Sequence, residues 1–184
     1  MSSKKAPESK RKFKYLPLTL SIGTLGGIAT PLVLRGTPLP AKRGYVFSTA
    51  SDNQEAVEIE VVMGERPIAK RNLEIGTFYL KGITKAPRGV PQIAVTFEVD
   101  QECRVKVNAL EKDSGLQISV ESEGAQPHLS EHDIRQLLQQ AEESRSEDEK
   151  VLKLAEARTR AEALIHRADS LTRTSRSRSS KHTG

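Results

Sequence analysis

The chain has 184 residues, 36% of them hydrophobic and 4% aromatic, with no tryptophan and a single cysteine. That length suits one domain with a small helical attachment, and the lone Cys103 excludes an internal disulfide and favours a reducing compartment, the cytoplasm. The formal charge is +5, yet residues 1–15 carry +5 and residues 173–184 carry +4, so the stretch between them is acidic at −4.

The basic pI therefore belongs to two arms expected to be disordered, 1–15 and the Ser/Arg-rich 173–184, and not to a folded face. Specific nucleic-acid binding is not expected from such a distribution. No apolar segment stands directly behind the basic N-terminus, so no signal peptide is expected. The most apolar run, Ile22 to Leu34, is broken by glycines and Pro31 and falls short of the ~20 residues that cross a membrane.

In chain order, Leu16 to Leu20 alternates leucines with Pro17 and Thr19, as a strand with one apolar face does. The run continues to a break at Gly26-Gly27, where a tight turn is expected. Ile28 to Leu34 reads as a second strand, placed at an edge by Pro31. Tyr45 to Ala50 is β-prone and ends at the turn signal Asp52-Asn53. Val57, Ile59 and Val61 alternate with Glu58 and Glu60, the cleanest strand pattern in the chain. Ile75 to Ile83 follows, with Gly76 and Gly82 as bulge or bend positions, and then a proline-bracketed loop, Ala86 to Pro91. Ile93 to Val99, Val105 to Ala109 and Leu116 to Val120 complete about seven or eight short strands, which suggests an antiparallel sandwich.

After Pro127 the period changes. Ser130 and Asp133 are spaced as a capping box, with Leu129 and Ile134 as a hydrophobic staple. Ile134, Leu137, Leu138 and Ala141 then recur at helical spacing. A second box at Ser146 to Glu149 opens a longer helix with the stripe Val151, Leu154, Ala155, Ala161, Leu164, Ile165 and Ala168. The expected organisation is thus a basic arm (1–15), a β-sandwich (16–121), a helical segment (129–172) and a basic tail (173–184).

Catalytic motifs are missing from this reading. The glycines at 23, 26 and 27 form neither a dinucleotide fingerprint nor a phosphate loop, and no nucleophile elbow occurs. His128, His132, His166 and His182 show no metal spacing with Cys103. Asp52, Asp100 and Glu102 read as acidic turn residues. The expectation is a protein that is not an enzyme and carries neither cofactor nor metal.

Taken together, Leu16 to Ile28, Val46 to Ala50, Asp52 to Gln54, Val57 to Val61, Gly64 to Arg66, Gly82-Ile83 and above all Ala86 to Ile93 with Val95 to Phe97 resemble the substrate-binding domain of DnaK-type chaperones, the heat-shock seventy family. The resemblance covers roughly residues 16–172 and implies a β-sandwich that grips a short extended peptide beneath a helical lid. It implies a central pocket from Ile22, Phe47, Val57, Ile59 and Ile93, and an arch from Leu25 and Ala50. Backbone groups around Thr24, Leu25, Ser48 and Ala50 would bond the guest. It also implies a lid latch pairing Arg88 with Glu162 and Asp52 with His166. Backbone bonds give affinity independent of sequence, and one apolar pocket adds ~1.5–3 kcal/mol, so micromolar, promiscuous binding of extended hydrophobic segments is implied.

Several positions depart from the family pattern. Lys10 to Tyr15 stands where an acidic, leucine-rich linker is usual, and with no ATPase domain ahead of residue 16, ATP would enter only through a separate domain. Ser21 and Gly23 replace a glycine and a glutamate. Cys103 stands at the glycine of a tight turn, which leads to the expectation of a rebuilt hairpin. The resulting expectation is a peptide-binding chaperone module of the stress response without its own ATPase. Its partners would be unfolded polypeptides and co-chaperones, with no specific nucleic acid, and self-association through the groove when another copy's tail enters it. The alternative is an adaptor that kept the fold but docks one protein partner or an acidic surface through its basic arms.

Overall fold

A computed structural model describes residues 12–123 and 129–179. Eight strands run β1 (Leu20–Thr24), β2 (Ile28–Val33), β3 (Ala41–Phe47), β4 (Ala56–Met63), β5 (Leu73–Lys81), β6 (Ile93–Val99), β7 (Val105–Glu111) and β8 (Gln117–Glu123), followed by α1 (Glu131–Glu143) and α2 (Arg145–Ser179). They form two antiparallel sheets of four, β2-β1-β4-β5 and β8-β7-β6-β3, which make a β-sandwich followed by two helices.

The sheets meet at β8. Gln117 and Ile118 pair with β7, and Ser119 to Glu123 pair with β5. Between the layers, inward residues of both sheets pack into one core around Phe97, Leu18, Leu20, Ile93 and Val95, all essentially without exposure. Tyr45 and Phe47 meet Phe97 edge-on, with centroids 6.2 and 6.4 Å away. The Tyr45 hydroxyl donates to Leu32 O at 2.6 Å, tying the free edge of one sheet to the other.

Pairing follows the alternation where it is strong. In β4, Ile59 and Val61 are buried and Val57 is half-buried, while Glu58 is exposed. Pro31 lies in the outermost strand β2, where its missing N–H costs no ladder bond. Val61 pairs Gly76 and Val62 pairs Glu74, so Ile75 bulges beside Gly76, as the glycine suggested.

Several expectations change. The strand expected over 45–50 is β3, Ala41–Phe47, because its first half carries Lys42, Arg43 and Gly44 on a solvated edge where apolar alternation is not required. The basic arm is anchored from Lys12 onward. Phe13 packs on the core and donates its N–H to Gln101 O at 2.7 Å, Leu39 N–H donates to Lys14 O, and Tyr15 bridges Pro38; the rest of that arm lies outside the described residues. The hairpin at 100–104 keeps its shape. Cys103 adopts the glycine's left-handed conformation, φ +60°, while Asp100 Oδ1 accepts the N–H groups of Glu102 and Arg104 at 2.8 and 2.9 Å. Three hydrogen bonds to one aspartate, counting the Arg104 side chain, offset the strain that a side chain brings there. Finally, α2 runs to Ser179, beyond the expected end at 172; arginine is a good helix former, and the expected tail is helical up to that point.

Helix α1 begins as expected, with the reciprocal Ser130–Asp133 box. The second box does not form. Ser144 is helical (φ −92°, ψ 0°), and Asp148 N–H already bonds Ser144 O at 2.8 Å, which leaves Ser146 no unsatisfied donor to cap.

Candidate functional site

Antiparallel order brings the turn Leu25–Gly27 and the loops 48–55, 82–92 and 112–116 to one end of the sandwich. Backbone bonds stitch these loops together: Asn53 N–H to Ala86 O, Gly89 N–H to Thr49 O, Gly82 N–H to Glu55 O and Lys112 N–H to Gln92 O. Beneath them, Ile22, Ile59 and Ile93 are buried, whereas Phe47 and Val57 are half-buried and still pack on the core. The expected pocket residues thus share the interior at this end, with Phe47 and Val57 nearest water.

The arch positions are exposed. Leu25 retains 73% of its surface, and Ala50 is exposed as well. Thr24 Oγ1 bonds Ile28 O at 3.1 Å and Thr30 Oγ1 at 2.9 Å, closing the turn on itself. Gly26 and Gly27, at φ +79° and +72°, take the left-handed conformation that this turn demands. Ser48 Oγ donates to Pro91 O at 2.6 Å. The N–H of Ala50 donates to Gln54 Oε1 at 2.9 Å. Gly23 is matched by its neighbour strand: a Cβ added there would lie 2.5 Å from Glu60 Oε2, so the Glu60 side chain occupies that space.

Of the expected latch residues, Arg88 and Glu162 are not joined among the described residues. Asp52 Oδ1 accepts the backbone N–H of Arg88 at 2.8 Å. The Arg88 side chain is exposed, and no ion pair links it to Glu162 among the described residues. The side chain of His166 lies outside the described residues.

Two contacts of α2 with the sandwich that the sequence did not single out are present. Asp148 is buried, with 4% side-chain exposure. It accepts from Arg66 Nε and a terminal Arg66 nitrogen, both at 2.8 Å, and from Arg71 at 2.6 Å; Glu147 adds a 3.0 Å pair to Arg71. The Arg66 hydrogen bonds hold the Asp148 carboxyl below its ordinary value, with Arg71 assisting and burial opposing. Farther along, the Leu25–Gly27 turn touches α2, where Gly26 faces Ala155 and Thr159.

These contacts define the face of α2 turned to the sandwich: Asp148, Val151, Leu152, Ala155 and Thr159 are its least exposed side chains among the described residues. Leu154, Ala161, Leu164, Ile165 and Ala168 of the expected apolar stripe are exposed instead. A buried carboxylate held by two arginines outweighs the burial of Leu154 beside it in setting the helix rotation, because leaving that charge unpaired would cost several kcal/mol.

Cys103 is buried, and burial, with Asp100 adding a smaller effect, pushes its thiol up to about 12, so it is no nucleophile at neutral pH. The loop-bearing end combines an apolar interior with a helix packed across one wall. No helix among the described residues is long and apolar enough to cross a membrane.

The chain matches the family model described as Hsp70 protein over residues 14–183. It is 49% identical over 152 residues to the chaperone protein DnaK of Anaplasma marginale (strain St. Maries), an alignment that covers 82% of this chain and 23% of that protein. The chain thus spans about a quarter of the length of the curated relative it matches. Hsp70 proteins are ATPases, and membership of that family overturns the expectation of a protein that is not an enzyme.

Proposed function

Because the chain belongs to the Hsp70 family of chaperones, we propose that its sandwich (16–121) captures short extended hydrophobic segments of unfolded polypeptides, with the helical segment (129–172) as lid. The observation that carries this reading is the half-buried pair Phe47 and Val57, which stands above buried Ile22, Ile59 and Ile93 at the loop-bearing end. A guest side chain entering there would extend the existing core, and Thr24, Leu25, Ser48 and the Ala50 carbonyl are the backbone positions that would bond the guest's main chain. Leu25 and Ala50 would arch over it. Arg88 with Glu162, and Asp52 with His166, would draw together as a latch once a guest is bound. Unfolded polypeptides and co-chaperones are the partners that the family supports, and a reducing, cytoplasmic setting accords with the free Cys103.

The test is fluorescence anisotropy of a labelled leucine-rich heptapeptide with the wild type and with Val57→Phe, which fills the pocket. Saturable micromolar binding, lost in the variant, is expected. A folded wild type that does not bind the peptide refutes the reading.

A further inference from the structure

We infer that the outer face of the sheet formed by β3, β6 and β7 is a self-docking surface, on which a second copy of this chain seats over the row Val46, Ala94 and Leu110. The inward positions of these strands, Val95, Phe97 and Val107 among them, are buried, so the alternate residues face outward. Register sets those residues in rows across the sheet: Val46, Ala94 and Leu110, then Gly44, Thr96 and Asn108, then Lys42, Glu98 and Lys106. The first two rows carry no charge. The first is apolar, and Val46 and Leu110 keep 52% and 43% of their surface. In a chain that is 29% charged, an outward sheet face without charge is unusual; β4 of the other sheet turns Glu58 and Glu60 outward. An uncharged centre bordered by a charged row has the anatomy of an interface.

The occupant is a second copy because the rows complement themselves. A two-fold axis along the strands, between β6 and β7, lays each β7 over the other copy's β6. Leu110 then meets Ala94, Asn108 meets Thr96 and Lys106 meets Glu98, each contact being made twice. A large residue is set against a small one, an amide against a hydroxyl and a cation against an anion. Within one copy Lys42 reaches Glu98 at 2.8 Å from the other side, so the acid lies between two cations, one from each chain. Three strands about 4.8 Å apart and five residues at about 3.3 Å each span roughly 14 by 16 Å, well short of the ~800 Å² per partner of a standard interface. The dimer is accordingly weak, with a dissociation constant of about 100 µM to 1 mM. The face shares no residue with the peptide pocket, so this pairing stands independently of the peptide-capture reading.

The test is sedimentation equilibrium from about 20 µM to 1 mM, a range that brackets the expected constant. Glu98→Lys alone and Lys106→Glu alone each set like charges together at both symmetric contacts, and each is expected to weaken association about tenfold. An equimolar mixture of the two variants is expected to regain wild-type association, because the new lysine then faces the new glutamate. Leu110→Asp, at an exposed position, is expected to abolish association and leave the melting temperature of the monomer unchanged. A wild type that stays monomeric to about 1 mM overturns the inference. So does a mixture that associates no more tightly than either variant alone. Association that survives Leu110→Asp but is removed by Val57→Phe places the contact in the peptide groove, and that result also overturns it.

Discussion

Replacing Asp148 by Ala removes the buried acid that anchors α2 and leaves Arg66 and Arg71 with only the exposed Glu147 beside them. Breaking a fully buried pair by deleting one partner costs about 3–5 kcal/mol. Here Asp148 is almost fully enclosed, but Arg66 and Arg71 keep 17% and 30% side-chain exposure, so water can partly replace the carboxylate. The expected cost is therefore about 2–3 kcal/mol, a shift of roughly 30- to 150-fold in the docking equilibrium of α2. The assay is amide hydrogen exchange resolved to α2, which reports local opening separately from unfolding of the sandwich. Denaturant melts of Asp148→Ala, Arg66→Ala and the double variant complete a cycle in which about 2 kcal/mol of coupling is expected. If exchange in α2 changes by less than about twofold, and the coupling is below about 0.5 kcal/mol, then Asp148 is not what holds the helix.

The same anchor fixes a pH response. The Asp148 carboxyl is held below its ordinary value of 3.8, so its contribution is fully present above that value and is lost as pH falls through the lower folded one. Exchange in α2 should be flat, after correction for intrinsic rates, between about pH 5 and 8 and should rise below about pH 4; Asp148→Asn should weaken docking at neutral pH and remove that acid-induced rise. At the Cys103 turn, melting temperatures should rank Cys and Gly close together, Ala lower and Val lowest, with Val at least about 2 kcal/mol down, because a β-branched residue tolerates φ +60° worst; a Val variant as stable as wild type would refute the strain. Tyr45→Phe deletes the 2.6 Å bond to Leu32 O and strands a partly buried carbonyl, so a loss of about 1–2 kcal/mol is expected by denaturant titration, and no loss would mean that the bond does not tie the sheets together.

What could be read from the residues follows a physical division. Val57, Ile59 and Val61 announce β4, and Ser130 with Asp133 announces α1, because alternation and capping are local rules written within a few residues. Strand β3 is obscured because an edge may carry Lys42, Arg43 and Gly44 without penalty, so its burial pattern carries little signal. The rotation of α2 could not be read from its apolar stripe, since it depends on Arg66 and Arg71, more than seventy residues away in sequence. Asp148 looked like part of a capping box; only its distant partners reveal it as an anchor. The contact at Gly26 is similar. The turn is legible from its glycines, but its fit against Thr159 exists only once α2 has been laid down. The pocket residues, by contrast, carry an alternation that any buried strand would show, and the family resemblance is what distinguishes them.

The strand β8 belongs to two sheets, its first two residues in one and the remainder in the other. A shared strand removes the seam along which a sandwich could come apart in halves: peeling it from either layer strips hydrogen bonds from both. The sandwich should therefore melt as a single cooperative unit, with calorimetric and van't Hoff enthalpies in agreement, so that whatever opens and closes at the loop-bearing end does so against a base that is either wholly formed or wholly lost.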